Sequence, residues 1–237
     1  MKEFRATLIE RIPRTASVES FRFKPGENID FSPGQFAQVL FDPLQPQNKE
    51  LNKYLSFSSS PTKEYFEVTK RLSNSIFSDH LRNLKVGDQV SFKAPFGNCV
   101  FKPEYKKICF IIGGIGITPV ISIIEYIMDK NLKDTDISLT YSNRTDEDIA
   151  FKKELDAWKS ANKNLAIVYV VTDCEPKDNT CIRGTINKNL LQDKICNIKE
   201  RIIFVFGPPR MVDALSALCG DLGCSRDNIR TESFFGY

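Results

Sequence analysis

The chain has 237 residues, 41% of them hydrophobic and 27% charged, enough to bury a sizeable core as one large or two modest domains. Lys and Arg number 33 against 30 Asp and Glu, a balance that gives no electrostatic case for nucleic acid or an anionic membrane as partner. The seven cysteines are odd in number, scattered and free of any C-x-x-C pair, and His80 is the only histidine. Reduced cytoplasmic thiols are therefore expected, with neither a structural zinc nor an iron–sulfur centre.

Met1-Lys2-Glu3-Phe4-Arg5 opens directly into a strand-like pattern, not a signal peptide, and no apolar run reaches membrane-span length. Residues 1–102 read as short strands rich in β-branched and aromatic side chains: Glu3–Arg11, Val18–Phe23, Gln35–Phe41, Tyr54–Ser58, Tyr65–Arg71 and Gln89–Phe92. Turn signals at Pro25-Gly26, Pro33-Gly34 and Gly87-Asp88 separate them. One helix, Ser75–Leu84, interrupts the series. This pattern predicts a six-stranded antiparallel barrel. His80, on that helix, is assigned no chemistry.

Beyond Phe101-Lys102-Pro103-Glu104 the grammar changes. Apolar strands at Ile108–Ile112, Ile137–Tyr141, Leu165–Val171 and Ile202–Phe206 alternate with helical patterns over Pro119–Met128, Ile149–Ser160, Asn187–Leu191 and Pro209–Leu222. Residues 103–237 are thus expected to form a parallel-sheet, Rossmann-like α/β domain. Its first unit, KKICFIIGGIGITP, carries the densest signal. A strand buried on both faces meets Gly113, Gly114 and Gly116, then Thr118 as a helix cap and Pro119 in the first turn. Such a turn offers free N–H groups and the positive end of a helix dipole to a phosphate. The spacing is not G-x-G-x-x-G.

Seven landmarks in order make the chain similar to the ferredoxin–NADP reductase superfamily. They are Pro33-Gly34-Gln35-Phe36, Lys53-Tyr54-Leu55-Ser56, Ser75-Ile76-Phe77-Ser78, Gly87-Asp88-Gln89-Val90 with Pro95-Phe96-Gly97, Gly113–Pro119, Gly207-Pro208-Pro209-Arg210-Met211, and the terminal Glu232-Ser233-Phe234-Phe235-Gly236-Tyr237. The resemblance implies a flavin-binding barrel followed by a pyridine-nucleotide domain. It implies that Lys53, Ser75, Ser78 and the helix N–H groups hold flavin phosphates, with Lys70 and Arg71 assisting. Leu55 would pack on the flavin ring, and Ser56 would hydrogen-bond near its reacting nitrogen. Gly113, Gly114, Gly116 and Thr118 would hold the nucleotide pyrophosphate, with Gly207 and Pro208 shaping the nicotinamide pocket. Phe234 or Tyr237 would cover the flavin, and Glu232 would serve as acid or electrostatic partner.

Four residues depart from the family pattern. Lys53 replaces an arginine and loses its bidentate fork. Leu55 replaces a stacking aromatic, Ser75 a glycine, and Phe206 a cysteine. After the second sheet strand, Ser142 and Arg144 stand where an adenosine ribose would lie, a pairing that favours NADPH over NADH.

The resemblance implies an NAD(P)H-dependent flavoprotein oxidoreductase, with FAD preferred to FMN. Electrons would leave for ferredoxin, flavodoxin or another small redox protein. The alternative is an electron-transfer subunit of a larger complex that is inactive alone.

Overall fold

The computed structural model describes residues 1–177 and 179–234. They form two compact units: 1–101 together with 118–130, and 102–117 together with the described residues from 131 onward.

The first unit contains β1 (Lys2–Pro13), β2 (Val18–Pro25), β3 (Phe36–Leu40), β4 (Asn52–Ser56), β5 (Phe66–Arg71), α1 (Ile76–Asn83) and β6 (Gln89–Phe96). The strands pair antiparallel in the order β4-β3-β6-β1-β2-β5. A bridge between Phe57 and Val68 brings the two edge strands together, so the sheet is a nearly closed barrel. Alternation along each strand sends Phe4, Phe23, Phe66 and Phe92 inward. Their rings meet edge-on at 4.9 Å in the Phe23–Phe92 and Phe66–Phe92 pairs. Arg11 holds α1 against this wall, donating at 2.8 Å to the carbonyls of Arg82 and Leu84 at the helix C-terminus.

The second sheet is parallel, in the order β10-β9-β8-β7-β11-β12. Its strands are β7 (Lys107–Gly113), β8 (Asp136–Asn143), β9 (Leu165–Val171), β10 (Cys181–Arg183), β11 (Ile202–Gly207) and β12 (Ile229–Ser233). The helices are α2 (Ile117–Asp129), α3 (Lys152–Ala161), α4 (Lys188–Lys194) and α5 (Pro209–Asp221). β7 runs almost wholly buried. Arg201, itself buried, staples the sheet by donating to the carbonyls of Ile108 and Asp136 and pairing with Asp136 at 2.7 Å.

Two edge strands, β10 and β12, were not expected from the sequence. They are three and five residues long and carry Arg183, Arg230 and Glu232, so they lack the apolar run that marks the central strands. Within the structure Thr118–Lys130 groups with the barrel unit. The cause is a polar face of α2 that bonds to the β4–β5 loop. Among the described residues no helix is long and apolar enough to cross a membrane.

Candidate functional site

In the barrel unit, strand alternation puts Lys53 and Leu55 on one face of β4 and Tyr54 and Ser56 on the other. Leu55 is only 9% exposed and packs in the barrel core with Ala37 and Phe57. Most of its surface is thus spent inside the barrel, and little remains for a ring face. Ser56 is 6% exposed, and no protein group among the described residues engages its hydroxyl.

On β5, Lys70 is 8% exposed and its ammonium donates only to the Arg71 carbonyl, at 3.1 Å. Burial, then the charges of Lys53 and Arg71, pull its pKa below the usual lysine value. No carboxylate among the described residues pairs with Lys53, Lys70 or Arg71. The charges of Lys53 and Arg71 act on the buried Lys70 with no carboxylate paired to any of the three among the described residues, which favours an anion there.

The serines at the start of α1 engage one another. Ser75 is the N-cap and its Oγ accepts the Ser78 N–H. Ser78 is fully buried; its Oγ accepts from the Ser73 N–H at 3.1 Å and lies 3.0 Å from Ser75 Oγ. Ser78 therefore shapes the turn. The replacement of glycine by Ser75 supplies this cap.

In the second unit the strand order reverses at β7 and β11, the place where open parallel sheets bind ligands at their carboxyl ends. The turns after these strands begin at Gly113 and Gly207. Gly114 takes φ +52° and opens a single turn of tighter helix, Gly114–Gly116, that runs into α2. Thr118 thus lies inside the first turn of α2 and is not its cap. Gly116 is required by packing, because a Cβ there would stand 2.4 Å from the Phe206 carbonyl oxygen. A Cβ on Gly113 would stand 2.4 Å from Met211 Sδ, and that sulfur also lies 3.4 Å from the Cβ position of Gly207. Met211 thus floors the space between the two turns, a role that its motif did not announce.

Next to these turns, Arg144 is not free. Its Nε donates to Asp173 Oδ2 at 2.7 Å, while Thr172 Oγ1 donates to Asp173 Oδ1 at 2.6 Å. The expected phosphate-binding guanidinium faces a carboxylate. Between Ser142 and Arg144, Asn143 is buried with neither end of its carboxamide hydrogen-bonded within the described residues. Such an orphan at the carboxyl end of a strand asks for a ligand atom or a water. No periodicity reveals it.

Glu232 lies beside Phe206 in the β11–β12 register. Burial alone pushes its carboxyl up to about 7. The ring of Phe206, which replaces the expected cysteine, stacks on Phe234 at 6.4 Å, and the Phe234 N–H donates to the Gly207 carbonyl at 3.0 Å. Tyr237 lies outside the described residues.

Residues 5–101 match the oxidoreductase FAD-binding domain family, and residues 110–217 match the oxidoreductase NAD-binding domain family. The chain belongs to the ferredoxin–NADP reductase superfamily. Its cofactors are FAD and NAD(P)H. Curated relatives in this superfamily include NADH-cytochrome b5 reductase 2 of Coccidioides immitis, 33% identical over 84% of this chain and 64% of that protein. NADH-cytochrome b5 reductase 1 of Dictyostelium discoideum is 30% identical over 75% of this chain and 63% of its own. The chain thus spans just under two thirds of these relatives. A solved ferredoxin NADP+ reductase of Neisseria gonorrhoeae, with bound FAD and NADP, shares the fold at TM-score 0.81. It is 20% identical and is covered over 100% of its length, as is 99% of this chain.

The residues present fit FAD. Lys53, Lys70 and Arg71, unpaired among the described residues, suit its diphosphate, and the Ser56 hydroxyl, unengaged among them, suits a polar atom of its ring.

Proposed function

We infer that this chain is a flavoprotein reductase that takes a hydride from NADH and delivers electrons singly to a small haem protein of the cytochrome b5 type. The observation that carries this reading is the likeness to NADH-cytochrome b5 reductases at about one-third identity over most of the chain. The ferredoxin or flavodoxin acceptor expected from the sequence gives way to it. FAD, when bound, accepts two electrons as hydride and releases them one at a time, which a one-electron haem acceptor requires.

The protein's share is position and charge. Lys53, Lys70 and Arg71 would hold the flavin diphosphate. Ser56 would orient the ring. Gly114 and the N–H groups of its turn would face the nucleotide pyrophosphate. The Arg144–Asp173 pair supports NADH over the NADPH expected from the sequence: Asp173 neutralises Arg144 and would repel a 2′-phosphate, while a ribose hydroxyl can donate to it.

The test is anaerobic. Purified FAD-loaded protein is titrated with NADH, then separately with NADPH, and oxidised cytochrome b5 is added to the reduced sample. Bleaching of the flavin band by NADH at lower concentration than NADPH, followed by reduction of the haem, is expected. A flavin that neither nucleotide bleaches would overturn the reductase reading. A bleached flavin that leaves the haem oxidised would overturn the acceptor.

A further inference from the structure

Ser122, Glu125 and Asp129 lie at helical spacings of three and four on one face of α2. All three bond to the loop that leaves β4 directly after Ser56. Ser122, fully buried, donates from Oγ to the Ser59 carbonyl at 2.7 Å. The Ser60 N–H donates to Glu125 Oε2 at 2.6 Å. Lys63 bridges Glu125 at 3.4 Å and Asp129 at 2.9 Å, and Thr62 Oγ1 donates to Asp129 at 2.5 Å. The opposite side of the loop is held equally firmly. The Glu67 N–H donates to Ser59 Oγ at 2.9 Å, the Ser58 N–H donates to the Glu67 carbonyl at 2.8 Å, and Ser58 Oγ donates to Glu67 Oε1 at 3.0 Å. Ser59 is thus a hub between α2 and β5.

Ser58, Ser59 and Ser60 are all at most 2% exposed, so the bonds these three serines make are shielded from water. Glu125 carries a cost here: burial raises its carboxyl pKa against the pull of the Ser60 N–H and Lys63. A partly buried acid is not needed for the helix itself, where Ile121, Ile123, Ile124 and Ile127 supply the packing. Its bond partner is a loop amide four residues beyond the Ser56 hydroxyl.

We propose that Ser122 and Glu125 are positioning residues that fix the β4–β5 loop and, through it, set the placement of the Ser56 hydroxyl against the flavin ring. The proposal rests on the reading of Ser56 as a flavin contact. A group whose hydrogen bond must meet one atom of a ring gains from a backbone held on both sides.

The experiment uses FAD-loaded full chain with Glu125→Leu, Glu125→Gln and Ser122→Ala, each also made on a Ser56→Ala background. Two quantities are read: the flavin midpoint potential by dithionite titration, and the single-turnover rate of flavin reduction by saturating NADH. Glu125→Leu and Ser122→Ala are expected to shift the potential and slow reduction by roughly ten-fold or more, with little change in the NADH concentration giving half-maximal rate. Glu125→Gln, whose carbonyl oxygen still accepts the Ser60 N–H, is expected to restore both. On the Ser56→Ala background Glu125→Leu should add nothing, because the group it positions is gone. Equal effects with and without Ser56, or an unshifted potential in folded Glu125→Leu and Ser122→Ala, would overturn the proposal. Absence of reduction by NADH in the parent protein would instead strike the functional reading, and the dithionite potentials would still decide this one.

Discussion

A side chain at Gly116 would place its Cβ 2.4 Å from the Phe206 carbonyl oxygen. The obstruction is the backbone of β11, which cannot rotate away. Gly116→Ala should therefore destabilise the protein by roughly 1–3 kcal/mol, the usual range for overpacking a tight site. Gly113→Ala meets the thioether end of Met211, which can swing aside, and should cost less. Urea melts of the two variants check the order. A Gly116→Ala protein as stable as the parent would show that the two turns have room to separate.

The glycines were legible in the sequence as a strand-to-helix turn, but the reason for them was not. Only Gly114 needs a left-handed backbone, Gly116 is demanded by a strand distant in sequence, and Gly113 makes room for Met211. Central strands announced themselves because burial on both faces leaves unbroken apolar runs, as in Ile108–Ile112. The edge strands β10 and β12 did not, since half-exposed edges tolerate Arg230 and Glu232. Lys53 could be named because a family pattern places a cation there, and Lys70 because it leaves the next strand. The state of Lys70, buried without a counter-ion, depends on which strands close the barrel. Likewise Arg144 was visible, but its partner Asp173 lies 29 residues away and follows a different strand. Serines are ambiguous for a simpler reason: one hydroxyl can serve a ligand or a turn, and Ser78 Oγ accepts the Ser73 N–H of the turn.

Asp173 bears on nucleotide choice. Removing its carboxylate in Asp173→Ala frees Arg144 and removes the repulsion toward a 2′-phosphate. The ratio of kcat/KM for NADPH to that for NADH should rise by about ten-fold, since a charge-assisted hydrogen bond is worth roughly 1.5–3 kcal/mol. Arg144→Ala in addition should return the ratio toward its original value. Steady-state kinetics with both nucleotides measure it. An unchanged ratio in Asp173→Ala would remove this ion pair from the specificity of the site.

Lys70 predicts opposite effects on stability and on binding. In the FAD-free chain its ammonium is buried beside Lys53 and Arg71 with no acid paired to it among the described residues. Lys70→Met keeps the apolar stem and removes the charge, so the FAD-free protein should gain stability, by about 1 kcal/mol or more. The same variant should lose affinity for FAD by at least roughly ten-fold, because a buried cation–phosphate contact is gone. Thermal melts of the FAD-free protein and FAD titration by fluorescence quenching test both halves. A variant less stable without FAD, or equally tight toward it, would show that Lys70 is held by packing and not poised for an anion.

Glu232 makes stability depend on pH in a window set by burial. Its folded-state pKa is pushed up to about 7 from an ordinary 4.5. Below the ordinary value the carboxyl is neutral whether the chain is folded or not, and no penalty arises. As pH climbs from 4.5 toward 7, the unfolded chain ionises while the folded one holds its proton, so stability falls. Above about 7 the folded protein carries a buried charge and the loss is complete, up to about 3 kcal/mol at roughly 1.36 kcal/mol per pH unit. Glu232→Gln removes the proton and should flatten this window: the variant matches the parent near pH 4.5 and exceeds it at pH 8. The same proton lies beside Phe206, whose ring stacks on Phe234, so NADH reduction rates measured across pH 5–8 should lose a step near pH 7 in the variant if the carboxyl donates during turnover. Urea melts at four or five pH values decide the stability claim. Parallel curves for the two proteins would mean that the Glu232 carboxylate finds solvent or a partner in solution.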